Sequence, residues 1–145
     1  RLRTAAAVAD LAGPDPSIAS LEAFTAVQAA LSAIDRLEVR GRDSAGLNLL
    51  VRDHSLDIDE SSVRALLDGR LDDPLFTSGA VRVTPEGHLS FVYKAAAEIG
   101  ELGDNTRVLR DAIRSDALLH RALGDPRALG GAVVFVLDVD RHEKF

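Results

Sequence analysis

Seven consecutive residues, Arg40-Gly41-Arg42-Asp43-Ser44-Ala45-Gly46, place two guanidiniums, a carboxylate and a hydroxyl around two glycines. Gly41 and Gly46 permit backbone angles and close approaches that other residues resist, and Asp43 and Ser44 can bond local amides. Apolar runs wall the cluster on both sides, which marks a shaped turn rather than a slack loop. A second group, Asp138, Asp140, His142 and Glu143, follows an apolar run, where sites of α/β type often sit. A polar turn opening into an acidic helix start accounts for the same residues. His54, His88, His120 and His142 lie far apart, so scattered surface histidines are the simpler reading than a metal site. Ser44 has no G-x-S-x-G elbow around it, which argues against a serine-hydrolase triad. The acidic run from Asp53 to Glu60 lacks the glycine and terminal glutamate of a calcium loop and reads as a solvated face.

Composition narrows the classes further. A chain of 145 residues, 46% hydrophobic and 28% charged, suits one globular domain. A formal charge of −6 without a basic cluster argues against nucleic acid as a partner. No apolar run approaches the roughly 18 residues of a membrane span, and Arg1 to Gly13 lacks a secretory apolar core, so a soluble cytoplasmic protein is expected. The absence of cysteine excludes disulfides, thiolate metal sites and thiol chemistry within these residues.

These clusters need elements to hold them. Arg1 to Ala12 reads as a helix stopped at Gly13-Pro14. Ser17 is a good N-cap for a long helix from Ile18 to near Glu38, with Leu21, Phe24, Ala26, Val27, Leu31, Ile34 and Leu37 as its apolar stripe. Ala45 to Val51 is a buried strand. Asp57 or Asp59 caps a short helix that reaches Gly69. Ala80 to Thr84 and Leu89 to Tyr93 form a hairpin around Pro85 to His88. Lys94 to Leu102 is expected as a short helix. Asp104 then caps one longer helix with Val108, Leu109, Ile113, Leu118 and Leu119 inward, and Ala132 to Leu137 is a buried strand. The order α-α-β-α-β-β-α-α-β predicts an α+β domain.

The segment from Leu37 to Gly46 resembles the (L)EYRGYDSAG signature of the glutaminase domain in the glutamine:fructose-6-phosphate amidotransferase (glucosamine-6-phosphate synthase) family. Eight of its ten positions match, with Val39 and Arg42 standing in place of tyrosines. Gly87 to Gly100 resembles the hairpin-and-helix stretch ahead of the family's catalytic loop, and Val133 to Phe145 resembles the strand and turn that follow. The resemblance implies a layered α/β/β/α N-terminal nucleophile hydrolase-like domain, present here in incomplete form across residues 1–145. The sugar-phosphate isomerase domain is absent. Arg40, Gly41 and Asp43 would support the glutamine site, and Asp138 or Asp140 would lie near the ligand amine. No cofactor or metal is implied. The partners implied are glutamine and either the rest of a larger amidotransferase or further copies of the chain.

Family chemistry begins with an N-terminal cysteine whose thiolate attacks the glutamine amide. An Asn-Gly pair holds the oxyanion, worth about 3–4 kcal/mol. Here Arg1 stands first, Val136-Leu137 occupies the place of Asn-Gly, and Gly124 to Gly131 replaces the segment that would supply a carboxylate-binding arginine. The residues as they stand are therefore expected to release no ammonia from glutamine. They read either as part of a glutamine-hydrolysing amidotransferase serving glucosamine 6-phosphate synthesis, or as a non-catalytic glutaminase-like interaction domain. In the second reading the helix faces Ile18 to Leu37 and Asp104 to Leu123 would pack on a partner.

Overall fold

The computed structural model describes residues 1–37, 44–71, 77–96 and 103–124, together with the backbone of 132–135. Helix α1 (Leu2–Ala12) buries Val8, Leu11 and Ala12 and stops at Gly13, whose φ of 75° is a left-handed value that suits glycine. Helix α2 (Ile18–Leu37) begins where expected, with Ser17 Oγ accepting from the Ser20 amide at 3.1 Å. Its residues Phe24, Val27, Leu31 and Ile34 recur at three- and four-residue spacing and enter the core. Contrary to expectation, α2 has the length and composition of a membrane span, at a mean hydropathy of 1.2. Here its apolar stripe packs into the fold, while Glu22, Asp35 and Arg36 stay exposed. Leu21, Ala26 and Leu37, assigned to that stripe from sequence, are exposed.

Strand β1 (Ala45–Val51) matches its expected bounds. After it come α3 (Ser61–Leu67), β2 (Val81–Val83), β3 (Leu89–Ala95), α4 (Asp104–Arg114), α5 (Ala117–Leu123) and β4 (Ala132–Phe135). The four strands form one antiparallel sheet in the order β2-β3-β1-β4. Ala45 pairs with Ala95 and Val51 with Leu89, so the full length of β1 lies against β3. Residues 45, 47, 49 and 51 of β1 and 89, 91, 93 and 95 of β3 share one face by strand alternation. That face joins side chains from all five helices in one hydrophobic core. The domain is α+β.

Several expectations change. Lys94 and Ala95 continue β3 instead of opening a helix, because their pairing with Gly46 and Ala45 extends the ladder. Gly103, at φ 91°, takes the N-cap position of α4, and Asp104 is the first helical residue, bonded to Arg107. The single helix expected after Asp104 is two, broken at Ser115-Asp116. Leu118 lies five residues beyond Ile113, about 140° round an unbroken helix from the Leu109–Ile113 stripe. The break lets all four leucine and isoleucine side chains face the core. Val108, expected inward, is 48% exposed. Neither acidic residue caps α3, whose N-cap position is Glu60; Asp57 instead accepts from the Asp59 amide in a local turn.

Candidate functional site

The residues singled out from sequence, Arg40, Gly41, Asp43, Asp138 and Asp140, lie outside the described residues, as do Arg42, His142, Glu143 and Val136-Leu137. What is described is where their segments join the sheet. Ser44, half-buried, leads into β1 beside the end of β3, through the Ala45–Ala95 pair. Strand β4 runs antiparallel to β1, and its last residue, Phe135, stands opposite Asn48. The strand polarity thus points β4 toward the end of the sheet where Ser44 lies, with three residue steps of β1, roughly 10 Å of strand, from the Phe135 level to Ala45. Asp43 adjoins Ser44 in the chain, and the Asp138–Glu143 group follows β4 among residues outside those described.

The most connected polar group among the described residues was not flagged from sequence. Asp116, at the break between α4 and α5, is the N-cap of α5 and accepts from the amides of Leu118 (3.1 Å) and Leu119 (3.2 Å). Arg70, just beyond α3, donates Nη1 to Asp116 Oδ1 at 3.0 Å and Nη2 to Oδ2 at 2.5 Å. Tyr93, in β3, donates its hydroxyl to Oδ2 at 2.7 Å. The guanidinium also donates Nε to the Gly79 carbonyl at 2.7 Å and lies 5.8 Å from the Phe91 ring centroid. Side-chain exposure is 22% for Arg70 and 5% for Asp116, so the pair is largely out of water.

Electrostatics follow from that geometry. Burial pushes the Asp116 carboxyl up, but hydrogen bonds from Arg70 and Tyr93 outweigh it and leave the group below its ordinary value. Burial, reinforced by the Asp116 charge, drives the Tyr93 phenol well above its ordinary value. Arg70 stays charged, the pull of Asp116 exceeding the cost of its partial burial. A carboxylate with both oxygens engaged, a neutral phenol and a paired guanidinium offer no free base or nucleophile. The constellation is a structural tie joining four parts of the chain. Its one sequence signal is the shift in apolar phase between Ile113 and Leu118, which requires a break and therefore a cap near Asp116.

The three histidines among the described residues are not simple surface residues. His54, His88 and His120 are half-buried. His54 donates Nε2–H to the Gly87 carbonyl at 2.8 Å, tying the chain after β1 to the hairpin turn. The His120 ring packs on Phe24 at 4.9 Å between centroids. Among the described residues no three His, Asp or Glu side chains gather to hold a metal ion. The acidic residues Asp53, Asp57, Asp59 and Glu60 are exposed, as a solvated face requires.

No protein-family profile, curated protein or solved structure matches the chain.

Proposed function

We propose that these residues are the supporting part of a class II glutaminase domain, the kind that releases ammonia from glutamine for transfer to fructose 6-phosphate. One observation carries this reading. The SAG end of the signature-like segment opens the central strand after a long helix, and β4 runs antiparallel to that strand, toward the end where Ser44 lies. Arg40, Gly41 and Asp43 would then brace the ligand, with Asp138 or Asp140 near its amine. The two-sheet layering of such domains would place a second sheet on the face of β1 and β3 that carries Asn48, Leu50 and Ser90, all half-buried.

With no cysteine in the sequence, the thiolate that attacks the amide must come from outside these 145 residues. The second reading, a non-catalytic glutaminase-like interaction domain, would dock through the helix faces Ile18 to Leu37 and Asp104 to Leu123. Of these, Phe24, Val27, Leu31, Ile34, Leu109, Ile113, Leu118 and Leu119 pack in the core, while Ile18, Leu37 and Val108 are exposed.

The test is a glutamine titration of the ¹⁵N-labelled chain. Saturable shifts at Ser44, Ala45, Gly46 and Ala95 are expected, with no ammonia released. A spectrum unmoved by saturating glutamine sinks the reading. Ammonia release above the blank would sink the argument from the missing thiol.

A further inference from the structure

Helices α2 and α4 pack antiparallel, and between them runs a groove of about 310 Å3 lined by residues of the two. The α2 wall carries Gln28, Leu31, Ser32 and Asp35, and the α4 wall Gly103, Thr106, Arg107 and Arg110. Both sets follow the i, i+3, i+4, i+7 spacing that normally carries the apolar stripe of a helix contact. Here Leu31 is the one large apolar side chain among them. Asp35 stands toward one end of the groove and Arg110 toward the other, and Arg107 on the α4 wall between them is paired with Asp104 at 2.6 Å. Asp35 and Gly103 meet at one end, where a Cβ on Gly103 would stand 3.5 Å from Asp35 Oδ1. Arg110 and Gln28 are hydrogen-bonded at the other.

Some of these groups are engaged and some are not. Arg110 donates Nη1 to the Ala7 carbonyl at 3.1 Å and, at 3.5 Å, to Asp10, and Nη2 to Gln28 Oε1. That accounts for three of the five N–H groups a guanidinium has, leaving Nε–H and one Nη2–H. Gln28 donates to Ser32 Oγ at 2.9 Å, so the Ser32 hydroxyl proton remains to be given. Asp35 has no hydrogen-bond or ion-pair partner among the described residues, and Thr106 Oγ1 is shut from solvent with none. Thr106 lies in the first turn of α4, so the helix offers it no carbonyl four residues back. Thr25 and Ser115 do bond back in that way, to Leu21 and Asp111, each at 2.7 Å. Thr106 is among the residues lining the groove, and its shielded hydroxyl reaches a ligand there only by changing its χ1 rotamer.

We propose that this groove binds a dipeptide-sized zwitterion, its ammonium on Asp35, its carboxylate on Arg110 and its central amide between the Ser32 and Thr106 hydroxyls. Gln28 and Asp35 are seven residues apart, about 10 Å along the helix. After a hydrogen bond at each end, that leaves the span of two linked residues. The site is separate from the sheet end discussed above, and nothing in its test depends on glutamine.

The experiment titrates the labelled chain with L-alanyl-L-alanine and, in parallel, with the same dipeptide N-acetylated. Saturable shifts confined to the groove are expected with the free dipeptide. Asp35→Asn should weaken binding roughly tenfold, the loss of one charge-assisted bond. The acetylated dipeptide should bind weakly and equally to both forms. Thr106→Val should keep or raise the melting temperature and weaken the free dipeptide. No saturable shift into the millimolar range, or undiminished binding in either variant, overturns the proposal.

Discussion

Two polar clusters sit against helices in this fold, the Arg70–Asp116–Tyr93 tie and the α2–α4 groove, and they close their hydrogen bonds differently. In the tie, one carboxylate receives two bonds from Arg70, one from Tyr93 and two from backbone amides. In the groove, the Asp35 carboxylate and the shielded Thr106 hydroxyl have no partner among the described residues. Polar atoms removed from water are stable when every member of the network is satisfied and costly when one is not. The first cluster therefore fixes where chain segments lie. The second leaves part of its bonding capacity for something else.

Breaking the tie should have the largest effect. Asp116→Ala strands the Arg70 charge and the Tyr93 hydroxyl together and uncaps α5, so a loss of about 3–5 kcal/mol in urea denaturation is expected. A loss near zero would mean the network holds nothing. The same contrast can be read by pH. The Asp116 carboxyl lies below its unfolded value in the folded state. Its contribution is thus complete above the unfolded pKa of about 4 and is lost as pH falls through the folded value. Wild-type stability should drop more steeply than that of Asp116→Asn on acidification below about pH 4.

Tyr93→Phe removes one bond and leaves the guanidinium pairing in place, for an expected cost of about 1–2 kcal/mol by the same denaturation assay. Gly103→Ala forces a side chain into φ 91° beside Asp35 and should cost about 1 kcal/mol, seen as a lower melting temperature. Thr106→Val is predicted to move the other way. Replacing a shielded, unbonded hydroxyl by a methyl group should be neutral or stabilising by up to about 1 kcal/mol. If Tyr93→Phe and Thr106→Val cost the same, the distinction between the clusters fails.

The elements most legible in the sequence were those where a local signal and a burial pattern agreed. Ser17 before the Phe24–Val27–Leu31–Ile34 stripe fixed the start of α2, and the apolar run from Ala45 to Val51 was β1. The described elements fall in the same order as expected, but residues 97–102 of the helix expected from Lys94 lie outside those described, so the agreement has another origin. The helix expected from Lys94 yields its first two residues to β3, while the helix expected after Asp104 divides in two. Cross-strand pairing overrode the helical propensity of Lys94-Ala95, a tertiary effect that no local window contains. The break at Asp116 could have been read from the change of apolar phase. The tie was illegible for a simpler reason: Arg70, Tyr93 and Asp116 are distant in sequence, and none stands in a motif. The groove was hidden because its residues form two unremarkable polar stripes until the helices are paired.

The placement of β1 has a consequence for how the chain comes together. Its partners on the two sides, β3 and β4, are separated by two helices, and Asn48 must wait for Phe135 before its second neighbour exists. The Ala7–Arg110 bond likewise spans 103 residues of chain. Contacts so distant along the chain carry their loop-closure entropy before they return any stability, which slows folding. During synthesis the β1–β3 ladder can form well ahead of β4, leaving one edge of β1 unpaired. The interval between the synthesis of β3 and of β4 is therefore when this protein is most exposed to pairing with the wrong strand.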